Sequence, residues 1–345
     1  PVRQRCARAC PCADDTHSES PWRYHVLFRR RRTGSGETRR VALYGGTGFV
    51  GSYLVDHLHA AGHEVSLLVR HGSEDKVPGG GRCRVTFGDV SNDADVAQAL
   101  AGCEAAIYNI GLLREFPRRG ITFEAMHFEG ARRVVDAAVS AGVRRFVMMS
   151  ANGVKPDGTA YQRTKYRADE YLAASGLDYT IFRPSVLFGE PRGRMEFCTQ
   201  LRDDMIRPPI PAPAFHAGWL PGGPPFRMSP IHVTDVAECF VRALEAPATI
   251  GQTYPLCGPE AVTWPDIIRR IASACGKRKL IVPAPVPLLK IVAGLLDRFE
   301  FFPVTRDQLT MLVEGNTGDS RAVFELLDIE PKTFTAEHLT YLGSR

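Results

Sequence analysis

A glycine-rich segment constrains the fold of this chain more than any other feature. The apolar run Val41–Tyr44 is typical of a buried strand, and it is followed by three glycines at three-residue spacing and then by helical periodicity. This order is typical of a dinucleotide site, because glycine permits a sharp turn, a close approach of backbone to a pyrophosphate, and tight packing of helix on strand. The free N–H groups at the helix start would bind phosphate. The alternative is an ordinary tight turn. The predicted phosphate-binding residues are Gly45, Thr47, Gly48, Phe49, Val50 and Gly51.

Strand and helix patterns keep alternating after this first unit. Further strands are predicted at His63–Val69, Arg84–Phe87, Ala105–Asn109, Arg145–Ser150 and Tyr179–Arg183. Helices are predicted at Phe123–Ala141, Tyr161–Ser175, Val233–Leu244 and Trp264–Cys275, with an ordered turn at Leu256–Glu260. Repeated βαβ units imply an α/β fold, a doubly wound parallel sheet of the Rossmann type, with ligands at the carboxyl ends of its strands.

Composition divides the chain into three parts. We expect residues 1–39 to form a disordered basic tail, residues 40–190 to form the Rossmann domain, and residues 191–345 to form a smaller α/β substrate or lid lobe. Later segments near residues 230–260 are expected to complete the sheet. A loop is predicted at 207–225, because this segment contains seven prolines and little periodicity. Val286–Leu296 is apolar but too short to span a bilayer, so we expect a buried helix or, as the alternative, a lid or membrane-surface contact.

Charge is concentrated in the tail. Residues 1–40 carry a net charge of +6 and the whole chain carries +5, so the remaining residues sum to −1. No basic face remains for nucleic acid. The tail is expected to be a disordered or artefactual extension, an Arg-rich organelle transit peptide, or a small metal site around its three cysteines. Six dispersed cysteines in the body suggest buried thiols in a reducing compartment. A cytoplasmic location follows, or a mitochondrion or plastid if the tail is a transit peptide; no bound metal is expected.

The end of the second strand favours NADP over NAD. An NAD site usually has a carboxylate there to bind the ribose 2′-hydroxyl, whereas this chain has Arg70, which can pair with a 2′-phosphate. Arg70 as a solvated surface charge is the alternative, and NAD stays open. Asp89 and Val90 after the third strand suit the adenine end. Asn109 and Gly111 after the fourth strand suit the ribose and diphosphate.

A tyrosine and a lysine four residues apart are the catalytic candidates. Tyr161 and Lys165 share one face of a predicted helix, and Ser150 ends the strand before it. An adjacent ammonium group favours the phenolate, so Tyr161 could exchange a proton while a nicotinamide exchanges hydride with a carbonyl or alcohol. The Ser150 hydroxyl could bind the same substrate oxygen. Tyr161 and Lys165 are also expected to contact the cofactor.

These motifs together resemble the short-chain dehydrogenase/reductase superfamily in its extended or atypical, epimerase/dehydratase-like branch. The matching segments are 45–51, 88–90, Ser150, Tyr161 with Lys165, 183–189, 231–237 and 257–260. The resemblance implies that Pro184 and Val186 line the nicotinamide pocket, although simple strand-end packing is the alternative. His232 and Asp235 suggest a charge relay or, more simply, the hinge between lobes.

The sequence departs from the superfamily pattern at two places. Ser150 and Tyr161 are only 11 positions apart, so Asn152 could take the role of the serine. The segment Met126-His127-Phe128 stands where many extended members have an asparagine. Tyr161 and Lys165 are both retained, which favours chemistry over a purely structural cofactor.

A narrower resemblance concerns segments 161–165, 180–189 and 303–307, which are similar to the nucleotide-binding accessory subunit of complex I and its bacterial relatives. It implies bound NADP(H) and proximity to quinone chemistry. We therefore expect an oxidoreductase or isomerase acting on an apolar small molecule, such as an intermediate of a quinone pathway. The alternatives are a non-catalytic scaffold in a respiratory or ubiquinone-biosynthesis assembly, which would make the chain part of an oligomer or larger complex, and a sensor of the NADP(H) pool.

Overall fold

The structure, a computed structural model, describes residues 38–216, 218, 225–287 and 306–343. The predicted basic tail lies outside the described residues except for Thr38 and Arg39, and so does most of the apolar segment Val286–Leu296. Residues 217 and 219–224 of the proline-rich segment, and 303–305 of the complex I-like segment, also lie outside them.

Seven parallel strands form the central sheet. The strands of the described residues include these seven and several short ones outside the sheet. In chain order, they are β1 (Arg40–Tyr44), β2 (Glu64–Val69), β3 (Arg84–Phe87), β4 (Ala105–Tyr108), β5 (Arg145–Met149), β6 (Asp178–Pro184), β7 (Leu187–Phe188), β8 (Ala212–His216), β9 (Arg227–Met228), β10 (Ile231–His232), β11 (Gln252–Leu256), β12 (Val262–Thr263) and β13 (Ile281–Pro285). The sheet has the order β11-β6-β5-β4-β1-β2-β3. The direction of winding reverses between β1 and β4, so the crevice for ligands opens beside those two strands.

Helices cover both faces of the sheet. They are α1 (Phe49–Ala60), α2 (Asp93–Leu100), α3 (Gly130–Ser140), α4 (Ala160–Ala173), α5 (Phe197–Leu201), α6 (Val233–Glu245), α7 (Trp264–Ala274), α8 (Arg306–Glu314) and α9 (Arg321–Leu326). Alternate residues of β1 enter opposite cores: Val41 and Leu43 pack with α1, α6 and α9, while Ala42 and Tyr44 pack with α2, α3 and α4. This alternation is the two-residue period of a strand buried on both faces. The doubly wound fold is thereby confirmed.

The C-terminal half contributes to the sheet and also builds its own core. Helix α6 packs on α1, and β11 pairs with β6. A third apolar cluster forms among residues after β6, centred on Phe188, Trp264 and Phe334. Here the prediction of a continuous loop at 207–225 is wrong in part, because Ala212–His216 forms β8 and pairs in parallel with β13. Prolines are tolerated there because, among the described residues, each of these strands pairs on one side only, so the other edge can accept a residue without an N–H group.

Helix boundaries follow local capping chemistry. Thr159 accepts from the Gln162 N–H and the Gln162 side chain accepts from the Thr159 N–H, which forms a capping box at the start of α4. A π-helix at Glu124–Glu129 precedes α3, so the single helix predicted over Phe123–Ala141 is observed as two conformations. Strand β11 ends where the turn predicted at Leu256–Glu260 begins, and it supplies the sheet strand expected near residues 230–260.

Candidate nucleotide and active site

The glycine turn has the geometry of a close backbone cradle. Gly45 has a φ of +93°, and a Cβ atom there would lie 2.8 Å from the Asn109 carbonyl oxygen. A Cβ atom at Gly51 would lie 2.2 Å from the Gly45 carbonyl oxygen, so α1 packs directly on the turn. Gly48 instead has ordinary space, 3.4 Å from the same oxygen. Gly45 and Gly51 therefore permit the close backbone packing of the turn, whereas Gly48 leaves the exposed surface of the turn free of a side chain.

The start of α1 offers backbone donors to a ligand. Gly48 is the N-cap residue, and it supplies no capping side chain. The first turn holds no acidic residue, and Phe49 and Val50 are partly exposed. Such a helix start carries free N–H groups and the positive end of the helix dipole, which suit phosphate.

An open cavity of about 350 Å³ lies at the ends of β2 and β3. Its lining residues are Arg70, His71, Phe87, Gly88, Asp89 and Asp95. Arg70 is exposed, and the His71 ring stacks on Phe87 with 6.0 Å between centroids. The structure therefore brings the predicted residues Arg70 and Asp89 to one cavity beside a flat aromatic pair. His71 and Phe87 are lining residues that the sequence analysis did not name.

The Asp89 loop is held by its own hydrogen bonds. The Asp89 N–H donates to Asp95 Oδ2 over 2.9 Å, and Asp89 Oδ1 accepts from the Ser91 N–H over 2.9 Å. Val90 is buried in the core under α3 rather than exposed in the cavity. Asp89 thus faces the cavity edge, while Val90 supports the loop from below.

The end of β4 lies between the glycine turn and Lys165. Asn109 Nδ2 donates to the Gly45 carbonyl oxygen at 3.4 Å. A Cβ atom at Gly111 would lie 3.7 Å from Lys165 Nζ. The lysine from α4 therefore comes to the crevice at the point where β1 and β4 diverge.

Lys165 is a buried cation. Its Nζ donates to the Met149 carbonyl oxygen over 3.0 Å, and the residue is 6% exposed. Burial lowers the Lys165 pKa to about 8, while the negative charge of Asp169 opposes that change. An ammonium group has three donors, so two remain for ligand groups.

Tyr161 packs against two aromatic rings of the segment that leads into α3. Its ring meets Phe123 and His127 edge to face, with centroids 5.6 and 5.1 Å apart. Its hydroxyl has no hydrogen-bond partner within the described residues. Burial, with a contribution from Asp169, raises the Tyr161 pKa to about 12. The expectation that a neighbouring ammonium would favour the phenolate is therefore not met, and the phenol stays protonated at neutral pH.

His127 lies in the middle of segment 126–128, the segment that departs from the superfamily pattern. Its Nε2 accepts from the Leu112 N–H over 3.0 Å, so in the neutral ring Nδ1 carries the proton and donates to Thr164 Oγ1 over 3.2 Å. Burial and the charge of Lys165 lower the His127 pKa to about 2. His127 is therefore an uncharged side chain in contact with Tyr161. It lies in the π-helix Glu124–Glu129, and π-helices are frequent at functional sites.

Ser150 does not present its hydroxyl at the crevice. The side chain is buried and donates to Asp169 Oδ2 over 2.9 Å. Arg183 Nε donates to the same oxygen over 2.9 Å. Asn152 is also engaged, because its amide donates to Asn316 Oδ1 and to the Thr317 carbonyl oxygen. Asp169 was not anticipated, although its position four residues after Lys165 on the same helix face was a usable signal.

Pro184, the last residue of β6, and Val186, two residues later, make backbone and packing contacts with neighbouring segments. Pro184 is buried beside Leu256, and its carbonyl oxygen accepts from the Asn152 N–H over 2.8 Å. Val186 packs against the third cluster, and its carbonyl oxygen accepts from the Ile231 N–H over 3.0 Å. Both lie at the carboxyl end of β6, near Asn152.

His232 and Asp235 lie apart from this crevice and tie α6 to the C-terminal segment. His232 caps α6 by accepting from the Thr234 N–H, and burial lowers its pKa to about 3. Asp235 accepts from the Lys332 backbone N–H over 2.7 Å and pairs with its Nζ over 3.0 Å. These contacts join two segments. His232 Nδ1 also lies 2.7 Å from Thr234 Oγ1, which donates to Asp235 Oδ1 over 3.3 Å, so the two residues are linked through a threonine hydroxyl rather than directly.

The donor set fits a dinucleotide. A side chain at Gly48 would occupy the exposed surface of the glycine turn, where the start of α1 offers backbone N–H groups. The exposed guanidinium of Arg70 lies at the end of β2. Residues 45–212 match the NAD(P)H-binding family. The chain contains an NAD(P)-binding Rossmann domain.

Relatives of this NAD(P)-binding chain are known from proteins and structures. The 40 kDa subunit of mitochondrial NADH-ubiquinone oxidoreductase from Neurospora crassa is 25% identical over 321 residues, 91% of this chain and 81% of the relative. A 3-beta-hydroxysteroid dehydrogenase of Mycolicibacterium neoaurum is 26% identical, covering 69% of this chain and 71% of that protein. The UDP-glucose 4-epimerase of Thermus thermophilus, solved with NAD, has a TM-score of 0.67 at 20% identity, covering 88% of this chain and 97% of the epimerase. The resemblance to epimerase-like dehydrogenases and to the complex I accessory subunit is confirmed.

Within the described residues, every helix is too short or too polar to cross a bilayer. The same part of the chain brings together no group of three or more His, Cys, Asp or Glu residues suited to a metal ion.

Proposed function

We propose that this chain binds NADP(H) and reduces the carbonyl group of an apolar small molecule, with Tyr161 as the proton donor. The observation that carries the proposal is the placement of Tyr161: its hydroxyl has no hydrogen-bond partner in the described residues, and it lies on the same helix face as Lys165. When bound, the nicotinamide would supply the hydride to the carbonyl carbon. The Tyr161 hydroxyl then gives its proton to the carbonyl oxygen, which would otherwise develop negative charge.

The other residues have supporting roles in this proposal. Lys165 attracts the developing anion and binds ribose hydroxyl groups from its place beside Gly111. Phe123 and His127 form an apolar and uncharged wall at Tyr161, which suits an apolar substrate. Arg70 pairs with the 2′-phosphate, which selects NADP over NAD. Pro184 and Val186 close the nicotinamide side at the end of β6.

The experiment combines nucleotide binding with turnover. NADPH fluorescence titration measures affinity, and NADPH oxidation is followed with a panel of apolar ketones and quinones. Tyr161→Phe should lower turnover by about 10²–10⁴-fold and leave NADPH affinity nearly unchanged. Tyr171→Phe is the matched control, because this tyrosine of α4 donates to Asp136 on the outer face, away from the crevice. Equal turnover in Tyr161→Phe and wild type would remove the phenol from the mechanism.

A second candidate is a non-catalytic nucleotide-bound scaffold in a respiratory or quinone-biosynthetic assembly. It is supported by the similarity to the Neurospora subunit and by contacts over the start of α4. There the Glu314 carboxylate of α8 binds Gln162 Nε2 over 2.8 Å and Lys155 Nζ over 2.7 Å. A mitochondrial location belongs to this candidate. It predicts a nucleotide that survives purification and is not oxidised by any member of the panel.

A further inference from the structure

A short segment from the C-terminal half crosses the first helix of the nucleotide-binding unit. We call residues 190–194 the strap. The Tyr53 hydroxyl donates to the Glu190 carbonyl oxygen over 3.0 Å. The Arg192 guanidinium lies over the Tyr53 ring, 3.6 Å from its centroid, and its Nη1 pairs with Asp56 Oδ2 over 2.7 Å. These contacts hold the strap on α1.

Arg194, at the end of the strap, binds three carbonyl oxygens with three different nitrogens. Its Nε donates to Thr47 over 2.8 Å, and its Nη2 donates to Lys76 over 2.9 Å. Its Nη1 donates to Arg192 within the strap over 2.6 Å. A planar guanidinium is the side chain that can make such a fixed three-way contact, since its donors diverge in one plane.

The two partners of Arg194 outside the strap belong to two different segments, the glycine turn and the connection between β2 and β3. Thr47 belongs to the glycine turn, where the fold places the pyrophosphate. Lys76 ends the short 3₁₀ turn Glu74–Lys76 beyond β2, the strand whose end faces the ribose of the adenosine half. The Arg194 side chain therefore connects the two segments between which the adenosine half of a bound dinucleotide would lie.

We propose that Arg194 is a positioning residue that latches the strap across the nucleotide site, so that nucleotide enters and leaves only when its bonds to Thr47 and Lys76 open. This inference rests on the proposed nucleotide-binding function. The contact between Arg194 and Thr47 cannot be predicted from local sequence patterns, because the two residues are 147 positions apart. Such a latch would slow the exchange of a bound nucleotide without any added contact to the reacting end.

The test measures nucleotide exchange by stopped-flow NADPH fluorescence in the full chain. Arg194→Ala should raise both the association and the dissociation rate by about ten-fold or more, since charged hydrogen bonds contribute enough to hold a strap closed. The dissociation constant should change much less than either rate. Arg194→Lys keeps the charge but not the three-way geometry, so it should act in the same direction. Arg269→Ala, an exposed arginine of α7 paired with Asp266, is the control.

Each outcome decides the matter. Unchanged rates in both Arg194 variants, with thermal unfolding confirming a folded chain, would overturn the latch. Faster dissociation with unchanged association would make Arg194 a direct ligand of the phosphates, which also overturns it. Wild-type protein that binds neither NADPH nor NADH would overturn the proposed function itself, and the latch with it.

Discussion

The hydroxyl group of Ser150 donates a hydrogen bond to the carboxylate of Asp169 over 2.9 Å. Asp169 is 2% exposed, and Arg183 Nε lies 2.9 Å from the same oxygen. Burial raises the Asp169 pKa, and the charge of Arg183 together with the Ser150 hydrogen bond opposes that rise. The carboxylate therefore joins the end of β5, helix α4 and strand β6 behind the crevice, and Ser150 is part of that junction.

Ser150→Ala should accordingly destabilise the fold. A hydrogen bond to a buried charge is lost, so we expect the free energy of unfolding to fall by about 1.5–3 kcal/mol. Affinity for NADPH should stay close to that of wild type. Urea unfolding and fluorescence titration measure the two quantities. Ser140→Ala, which removes an exposed hydroxyl bound to the Asp136 carbonyl oxygen, is the control. Unchanged stability with lost turnover would return Ser150 to a catalytic role.

Lys165→Met should stabilise the nucleotide-free protein near neutral pH. Burial lowers the pKa of Lys165 from its usual 10.5 to about 8 in the folded state, so below pH 8 the fold carries the cost of a buried charge. Wild-type stability should rise with pH between these two values. Allowing for the lost bond to Met149, we expect a gain of about 1–2 kcal/mol at pH 7 that vanishes above about pH 10.

Chemical denaturation at the two pH values measures that gain. Lys155→Met is the control, because it removes a solvent-screened ion pair with Glu314 at the surface, which contributes little to stability. A Lys165→Met variant that is less stable than wild type at neutral pH would contradict the expected cost of burying the Lys165 charge.

Alanine at Gly48 and at Gly51 should separate binding from folding. At Gly51 the added methyl group would lie 2.2 Å from the Gly45 carbonyl oxygen, so α1 must shift and thermal stability should drop together with nucleotide affinity. At Gly48 the nearest atom is 3.4 Å away and φ is −76°, so the fold should tolerate alanine. Affinity for NADPH should still fall, because the methyl group occupies the phosphate cradle. Equal affinity in Gly48→Ala and wild type would argue against phosphate at this turn.

Arg70→Asp should change the choice of nucleotide. We expect NADPH affinity to fall by at least about ten-fold, because one charge-assisted contact to a 2′-phosphate is lost and a like charge is added. NADH should lose little, since an aspartate at this place can accept from the 2′-hydroxyl. Parallel titrations with both nucleotides measure the ratio. Arg82→Asp, in the same β2–β3 connection, controls for a general charge effect. An unaltered NADPH-to-NADH ratio would show that Arg70 does not contact the phosphate.

Local patterns predicted the elements that fold by local rules. The strand before Gly45 and the helix after Gly48 were predicted within a residue or two, because apolar periodicity and glycine spacing act over short stretches of chain. The placement of Tyr161 and Lys165 on one face of α4 was predicted from their four-residue spacing. In the proline-rich segment the same local reasoning missed β8, since its partner β13 is far away in sequence.

The amino-acid sequence by itself determined the doubly wound fold, the glycine turn and the placement of Tyr161 and Lys165 on one helix face, because each depends on patterns of residues close together in the chain. Only the tertiary structure decided that Ser150 binds Asp169, that burial raises the pKa of the Tyr161 phenol, and that Arg194 reaches Thr47. Those outcomes depend on desolvation and on contacts between distant segments, which exist only once the sheet and its C-terminal half have come together.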